Sequence, residues 1–148
     1  MMGGLTLIRL KVRFDYIAEG KTSRRFFAAK NSDEQAEELR QHKIALIRNV
    51  PVQGVNIEEI DMSMEIYTIF DEFTNRLSTC APVTITFSVE SLEDAIKFIM
   101  KDEFRTIEVL DPAELNLSRL EVARLFSKIN EGLQSYRVYL EKKIDNWK

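Results

Sequence analysis

Few residues in this chain are of the types that do covalent chemistry. It holds one cysteine, Cys80, and one histidine, His42. A thiol–imidazole pair is the nucleophilic arrangement those two could form, with the imidazole activating the thiolate. Their separation in the sequence allows contact without implying it, and neither is followed by a glycine-rich turn able to stabilise an oxyanion. The expectation is an inert loop thiol and a histidine at a helix end. A single Cys and a single His also leave no soft-ligand metal site.

Carboxylates are more plentiful, with groups at Glu58, Glu59 and Asp61, at Glu93 and Asp94, and at Asp102 and Glu103. Paired acids can do acid–base work or hold a hard cation. No segment here has the spacing and central glycine of a calcium loop, and the five glycines form no phosphate-cradling loop. Acids at helix starts and strand ends are expected to be solvated. No catalytic, metal or cofactor-binding residue is assigned, and the chain reads as non-enzymatic.

The one patch with an evident chemical affinity is basic. Arg9, Lys11 and Arg13 recur at period two and share one side of a strand, where Arg24 and Arg25 of a returning strand can join them. A row of cations on a sheet can track phosphates. Single-strand binders usually interleave stacking aromatics on the same side, and here Phe14 and Tyr16 fall on the other. Acidic neighbouring strands offer these cations partners instead. Nucleic acid is the alternative partner, not the favoured one.

These residues sit on elements the sequence delineates well. Ile8, Leu10, Val12, Phe14 and Tyr16 alternate with charged residues, predicting a strand with one buried face. Glu19-Gly20-Lys21 predicts a turn, and Thr22 to Lys30 a return strand. Ser32 is expected to cap a short helix over Asp33–His42, and Ile44 to Val50 to form a buried strand ending at Pro51. A second strand spans Ile60 to Phe70, a third Val83 to Val89. Ser91 and Asp94 then form a capping box before a helix bearing Leu92, Ala95, Phe98 and Ile99. Arg105 to Leu110 is a last short strand, and Asp111-Pro112 begins a turn or helix.

The two halves share an order of elements and a Ser-x-Glu-x-Ala helix start. The expected fold is α+β, with a mixed, largely antiparallel sheet from two ββαβ units and helices on one face. The chain is taken as a single domain over 1–148, with a pseudo-repeat at 5–51 and 57–112 and a long C-terminal helix over about 117–146.

That helix carries Val122, Phe126, Ile129, Leu133, Tyr136 and Leu140 at alternating steps of four and three, a heptad seam. Its first part, Leu117 to Phe126, has the look of the first helix of a helix-turn-helix. Ser127 and Lys128 lack the turn chemistry that motif needs, so a continuous helix is expected. At 1.5 Å per residue it is roughly 40 Å long, more than a sheet of this size requires. Leu133, Tyr136, Leu140 and Trp147 are therefore the expected oligomer interface.

At 148 residues, 45% hydrophobic and 30% charged, the composition is that of an ordinary globular chain. Residues 1–31 hold seven Lys/Arg against two Asp/Glu, residues 32–117 seven against eighteen, and residues 118–148 seven against four. Basic ends around an acidic middle point to pairing within or between chains. Apolar runs are too short to span a bilayer, no leader pattern opens the chain, and a lone cysteine suits a reducing compartment. The reading is a cytoplasmic interaction or regulatory module, self-associating through its last helix and meeting an unidentified protein partner, with no cofactor and no membrane.

Overall fold

The computed structural model describes residues 7–18, 31–73 and 75–145. The alternating segment forms β1 (Ile8–Ala18), which pairs antiparallel along its whole length with β4 (Arg76–Val89), from Ile8 opposite Val89 to Ala18 opposite Thr79. On the other edge of β1 lies β5 (Phe104–Asp111), also antiparallel. The second edge of β4 is shared by β2 (Val55–Asp61), opposite Thr84–Val89, and β3 (Tyr67–Asp71), opposite Arg76–Cys80. The strand order is β2-β4-β1-β5, with β3 beside β4.

Every pair being antiparallel, β1 and β2 run in the same direction with β4 between them. By the same reasoning β4 and β5 are parallel with β1 between them. Helix α1 (Ser32–Asn49) connects the first of these couples and α2 (Leu92–Ile99) the second. The sheet is thus two interleaved split βαβ crossovers. The α+β class and the long closing helix, α3 (Arg119–Asp145), are as the sequence suggests. The expected return strand Thr22–Lys30 and the turn before it lie outside the described residues.

Two elements differ from expectation. Ile44–Val50 is not a strand: α1 continues to Asn49, and Val50 closes it by donating its amide to the Leu46 carbonyl at 2.9 Å. The reason is visible in what α1 buries. Ala36, Arg40 and Ile44 recur every four residues on its inner side, with Leu39 and Ile47 beside them, and nothing between His42 and Asn49 breaks a helix. Its cap is Asn31, one residue before Ser32, whose Oδ1 accepts from the Glu34 amide at 2.7 Å. Pro51 consequently falls inside the first crossover, between α1 and β2. Gly54, at φ +84°, turns the chain into β2, and a Cβ there would stand 2.4 Å from Asp94 Oδ2.

The expected strand Ile60–Phe70 is two strands. Asp61 Oδ1 accepts from both the amide and the hydroxyl of Ser63, at 2.8 and 2.5 Å, which bends the backbone out of the ladder after β2. β4 is left with no register partner from β2 or β3 at residues 81–83. Pro82, which has no amide hydrogen to give to a neighbouring strand, stands in that interval. Its carbonyl accepts from Arg40 Nη1 at 2.9 Å, and the same nitrogen reaches the Met64 carbonyl at 3.0 Å. Arg40 is 4% exposed, and its Nε donates to Glu37 at 2.7 Å.

One core results. Leu10, Val12 and Phe14 of β1 and Val83, Ile85 and Phe87 of β4 meet Ile44 of α1 and Ala95 and Phe98 of α2. Both helices therefore pack on one face of the sheet. Phe98 is its keystone, edge-on to Phe87 at 4.8 Å and to Phe14 at 6.0 Å. Burying that ring contributes about 2 kcal/mol. Ser91 caps α2 as its sequence indicates, accepting from the Asp94 amide at 3.3 Å.

Candidate interaction surfaces

The face of the sheet opposite the helices carries the charged side chains of β1. Register places Arg9, Lys11, Arg13 and Asp15 there beside Ser88, Thr86, Thr84 and Pro82 of β4, so the basic row does share one side. It is bordered by acids. Arg9 is held by Glu58 of β2 at 2.9 Å and Asp111 of β5 at 3.2 Å. Those bonds push the Arg9 guanidinium up, and the bond from Arg9 lowers the Glu58 carboxyl. Lys11 stands opposite Glu108 and is exposed. Arg24 and Arg25 lie outside the described residues. Phe14 and Tyr16 are buried in the core, on the helix side.

At one end of this face a carboxylate is sealed in. Asp15 is 1% exposed. Arg13 Nε donates to its Oδ1 at 2.8 Å and Nη2 to Oδ2 at 3.2 Å, the Tyr67 hydroxyl donates to Oδ2, and Arg105 Nε stands 3.6 Å from the same oxygen. Tyr67 is directly opposite Cys80 in the β3–β4 register. Burial, then the bond to Asp15, pushes the Tyr67 phenol up to about 12. Burial also pushes the Cys80 thiol up, which makes it a poor nucleophile. His42 is exposed on α1, and α1 packs on the other side of the sheet, so the structure does not bring the two together. Among the described residues no group of three or more Asp, Glu, His or Cys is placed to hold a metal ion.

The apolar surface lies elsewhere. α3 is capped as expected, with Ser118 Oγ accepting from the Glu121 amide at 3.1 Å and Glu121 Oε1 accepting from the Ser118 amide at 3.3 Å. It then runs unbroken for 27 residues, and none of them is buried. Its half-covered residues, Val122, Leu125, Lys128 and Gly132, lie on the side facing α2. At Gly132 the approach is close: a Cβ would stand 2.1 Å from Met100 Sδ.

α2 has eight residues, so it can support only the first half of α3. The seam beside that contact is open: Phe126 is 67% exposed, Leu133 61% and Tyr136 47%. Leu140 and Ile144 continue it, both exposed. Trp147 lies outside the described residues. A groove of about 800 Å³ runs between the end of α2 and α3, lined by Ile96, Ile99, Met100, Phe104, Leu133 and Tyr136, with Lys97, Lys101 and Lys128 at its margins. Lys101 lies over the rings of Phe98 and Phe14 at 4.6 and 5.1 Å, and its burial lowers its ammonium.

Leu133, Tyr136 and Leu140 thus share one uncovered stripe. Phe126 and Ile129 belong to the same seam and were readable from its spacing. Ile144 and Met100 were not: the first lies past the point where the seam meets Lys143, and the second depends on how α2 ends. Arg40 and Asp15 gave no signal beyond a charge at an inward helical position and an acid in a basic strand.

Comparison with known protein families, curated proteins and solved structures finds no match to this chain. Among the described residues no helix is long and apolar enough to cross a membrane.

Proposed function

We propose that this protein is a non-enzymatic interaction module of the cytoplasm that associates with a second copy of itself through α3. The observation that carries the reading is a 27-residue amphipathic helix with no buried residue. Large apolar residues left in water along a continuous stripe mark a contact surface. A helix face of this kind, with aromatic and leucine anchors at heptad spacing, is the surface that helical pairing covers. The charged sheet face supports the same reading from the other side, because Arg9 and Arg13 are engaged by carboxylates of the chain itself. A phosphate ligand would have to displace those partners.

Sedimentation of the full chain tests the proposal. The expected result is a dimer, dissociated by Leu133→Asp with the circular dichroism unchanged. An anchor at the centre of a packed seam is worth roughly 2–4 kcal/mol and the dimer loses one from each chain, so the dissociation constant should rise by about 1,000-fold or more. A wild-type chain that stays monomeric into the millimolar range overturns the reading. Titration with single-stranded DNA at low salt completes the test. Tight binding, abolished by Arg9→Ala with Arg13→Ala, would favour the phosphate-binding alternative.

A further inference from the structure

We infer that two copies pair their α3 helices antiparallel, about a two-fold axis passing between Gln134 and Ser135, so that the distal half of each helix lies along the partner's groove between α2 and α3. The inference rests on the self-association proposed above and adds its geometry.

Three observations carry it. The first is where the seam is polar. Continuing the heptad through Val122, Phe126, Ile129, Leu133, Tyr136 and Leu140 places Arg119 at its start and Lys143 at its end. A parallel, in-register pair sets Arg119 against Arg119 and Lys143 against Lys143, like charges facing across a seam. The antiparallel pair centred between Gln134 and Ser135 sets Leu133 against Tyr136 and Ile129 against Leu140. Lys143 then meets the Phe126 ring, 67% exposed and able to receive an ammonium on its face. Arg119 falls beyond the end of the partner helix, in water.

The second observation is length. α3 is supported only over its first half, by the eight-residue α2. The groove at that contact, about 800 Å³ and lined by Met100, Ile96 and Ile99, has an apolar floor. In the antiparallel pair, Leu133 and Tyr136, which line the groove, meet Tyr136 and Leu133 of the other chain, and the other chain's Leu140 arrives beside Ile129, next to the groove-lining Lys128. In the parallel pair the two distal halves meet only each other, and both grooves stay open.

The third is area. Phe126, Ile129, Leu133, Tyr136, Leu140 and Ile144 are 38 to 67% exposed. That amounts to roughly 600 Å² per chain, or about 1,200 Å² for the pair, the lower edge of a stable specific interface before any groove contact is counted. Antiparallel helix dipoles also oppose, which favours this orientation over the parallel one.

Thiol crosslinking decides the geometry. Ile129→Cys and Leu140→Cys chains are prepared separately, treated alone and as an equimolar mixture with a short bis-maleimide, and sedimented in parallel. The native Cys80 is fully buried, and wild type treated with the same bis-maleimide supplies the background. The expected result is a covalent dimer in the mixture, with at least a tenfold lower yield from either chain alone. Should either substitution disturb folding, Phe126→Cys with Lys143→Cys poses the same question at exposed positions. Efficient crosslinking of each variant alone shows a parallel pair, overturning this inference and leaving self-association intact. A sedimenting dimer that crosslinks at neither pair places the interface off α3 and overturns both. A monomer in every sample overturns the self-association itself.

Discussion

At the scale of single residues, no buried side-chain nitrogen or oxygen among the described residues lacks a hydrogen-bond partner. Asp15 is the clearest case, a carboxylate 1% exposed that is held by Arg13 and Tyr67 with Arg105 nearby. Leaving one such partner unmade costs more than the net gain from making the bond. Replacing Tyr67 by Phe should therefore cost about 1–2 kcal/mol at neutral pH, measured by urea denaturation. The pH dependence has a definite sign. The folded phenol sits at about 12 because burial, then the bond to Asp15, favours its protonated form. Its contribution is complete below the ordinary phenol value near 10 and is lost as pH rises towards 12. Between those limits wild type should lose stability more steeply than Tyr67→Phe. Equal slopes would show that the phenol is not held in this way. Tyr16, also shifted upward, is present in both proteins and cancels.

At the scale of elements, the close approach of α3 to α2 at Gly132 makes an unusual trade. Alanine is favoured over glycine inside a helix by about 1 kcal/mol, yet its Cβ would collide with the end of the Met100 side chain. Met100 is 43% exposed and has room to turn away. Gly132→Ala alone should be close to neutral, and Gly132→Ala together with Met100→Ala should recover up to about 1 kcal/mol relative to Met100→Ala alone. Thermal denaturation of the four chains checks this. Strong destabilisation by Gly132→Ala would mean that the helix backbones themselves, not one flexible side chain, set the spacing.

Elements also show what could be read in advance. The alternation in β1, the caps of α2 and α3 and the heptad of α3 are local patterns, and each is where the sequence places it. The stretch Ile44–Val50 reads as a strand because a short apolar run suits a buried strand as well as a helix; Arg40 inside the stripe disguises the helical period. The break between β2 and β3 depends on Asp61 turning onto Ser63 and on Arg40 reaching two distant carbonyls. Neither has a signature in a sequence window. The surface proposed for association is legible as a seam longer than the sheet requires; where its cover ends is not, since that depends on α2 being only eight residues long.

At the scale of the whole molecule, part of the charge that is uneven along the sequence is paired across the sheet. The basic strand β1 is central, between β4 and β5, and Arg9 bridges from it to the acidic strands β2 and β5 on either side. A long stripe of exposed apolar residues remains on α3. If assembly covers it, stability depends on concentration. A tenfold rise in protein adds about 1.4 kcal/mol to the folded dimer and should raise the melting temperature by roughly 2 °C. A melting temperature constant over two decades of concentration would contradict assembly. The interval at residues 81–83 of β4 has a consequence of its own. An unpaired stretch in a long apolar strand is a template on which foreign chains add and fibrils begin. Here the stretch holds a proline that cannot donate, and its carbonyl is already occupied by a buried arginine from the helix above. The protein thus keeps a fourteen-residue strand with a changing set of neighbours while leaving no vacancy there for an intruding one.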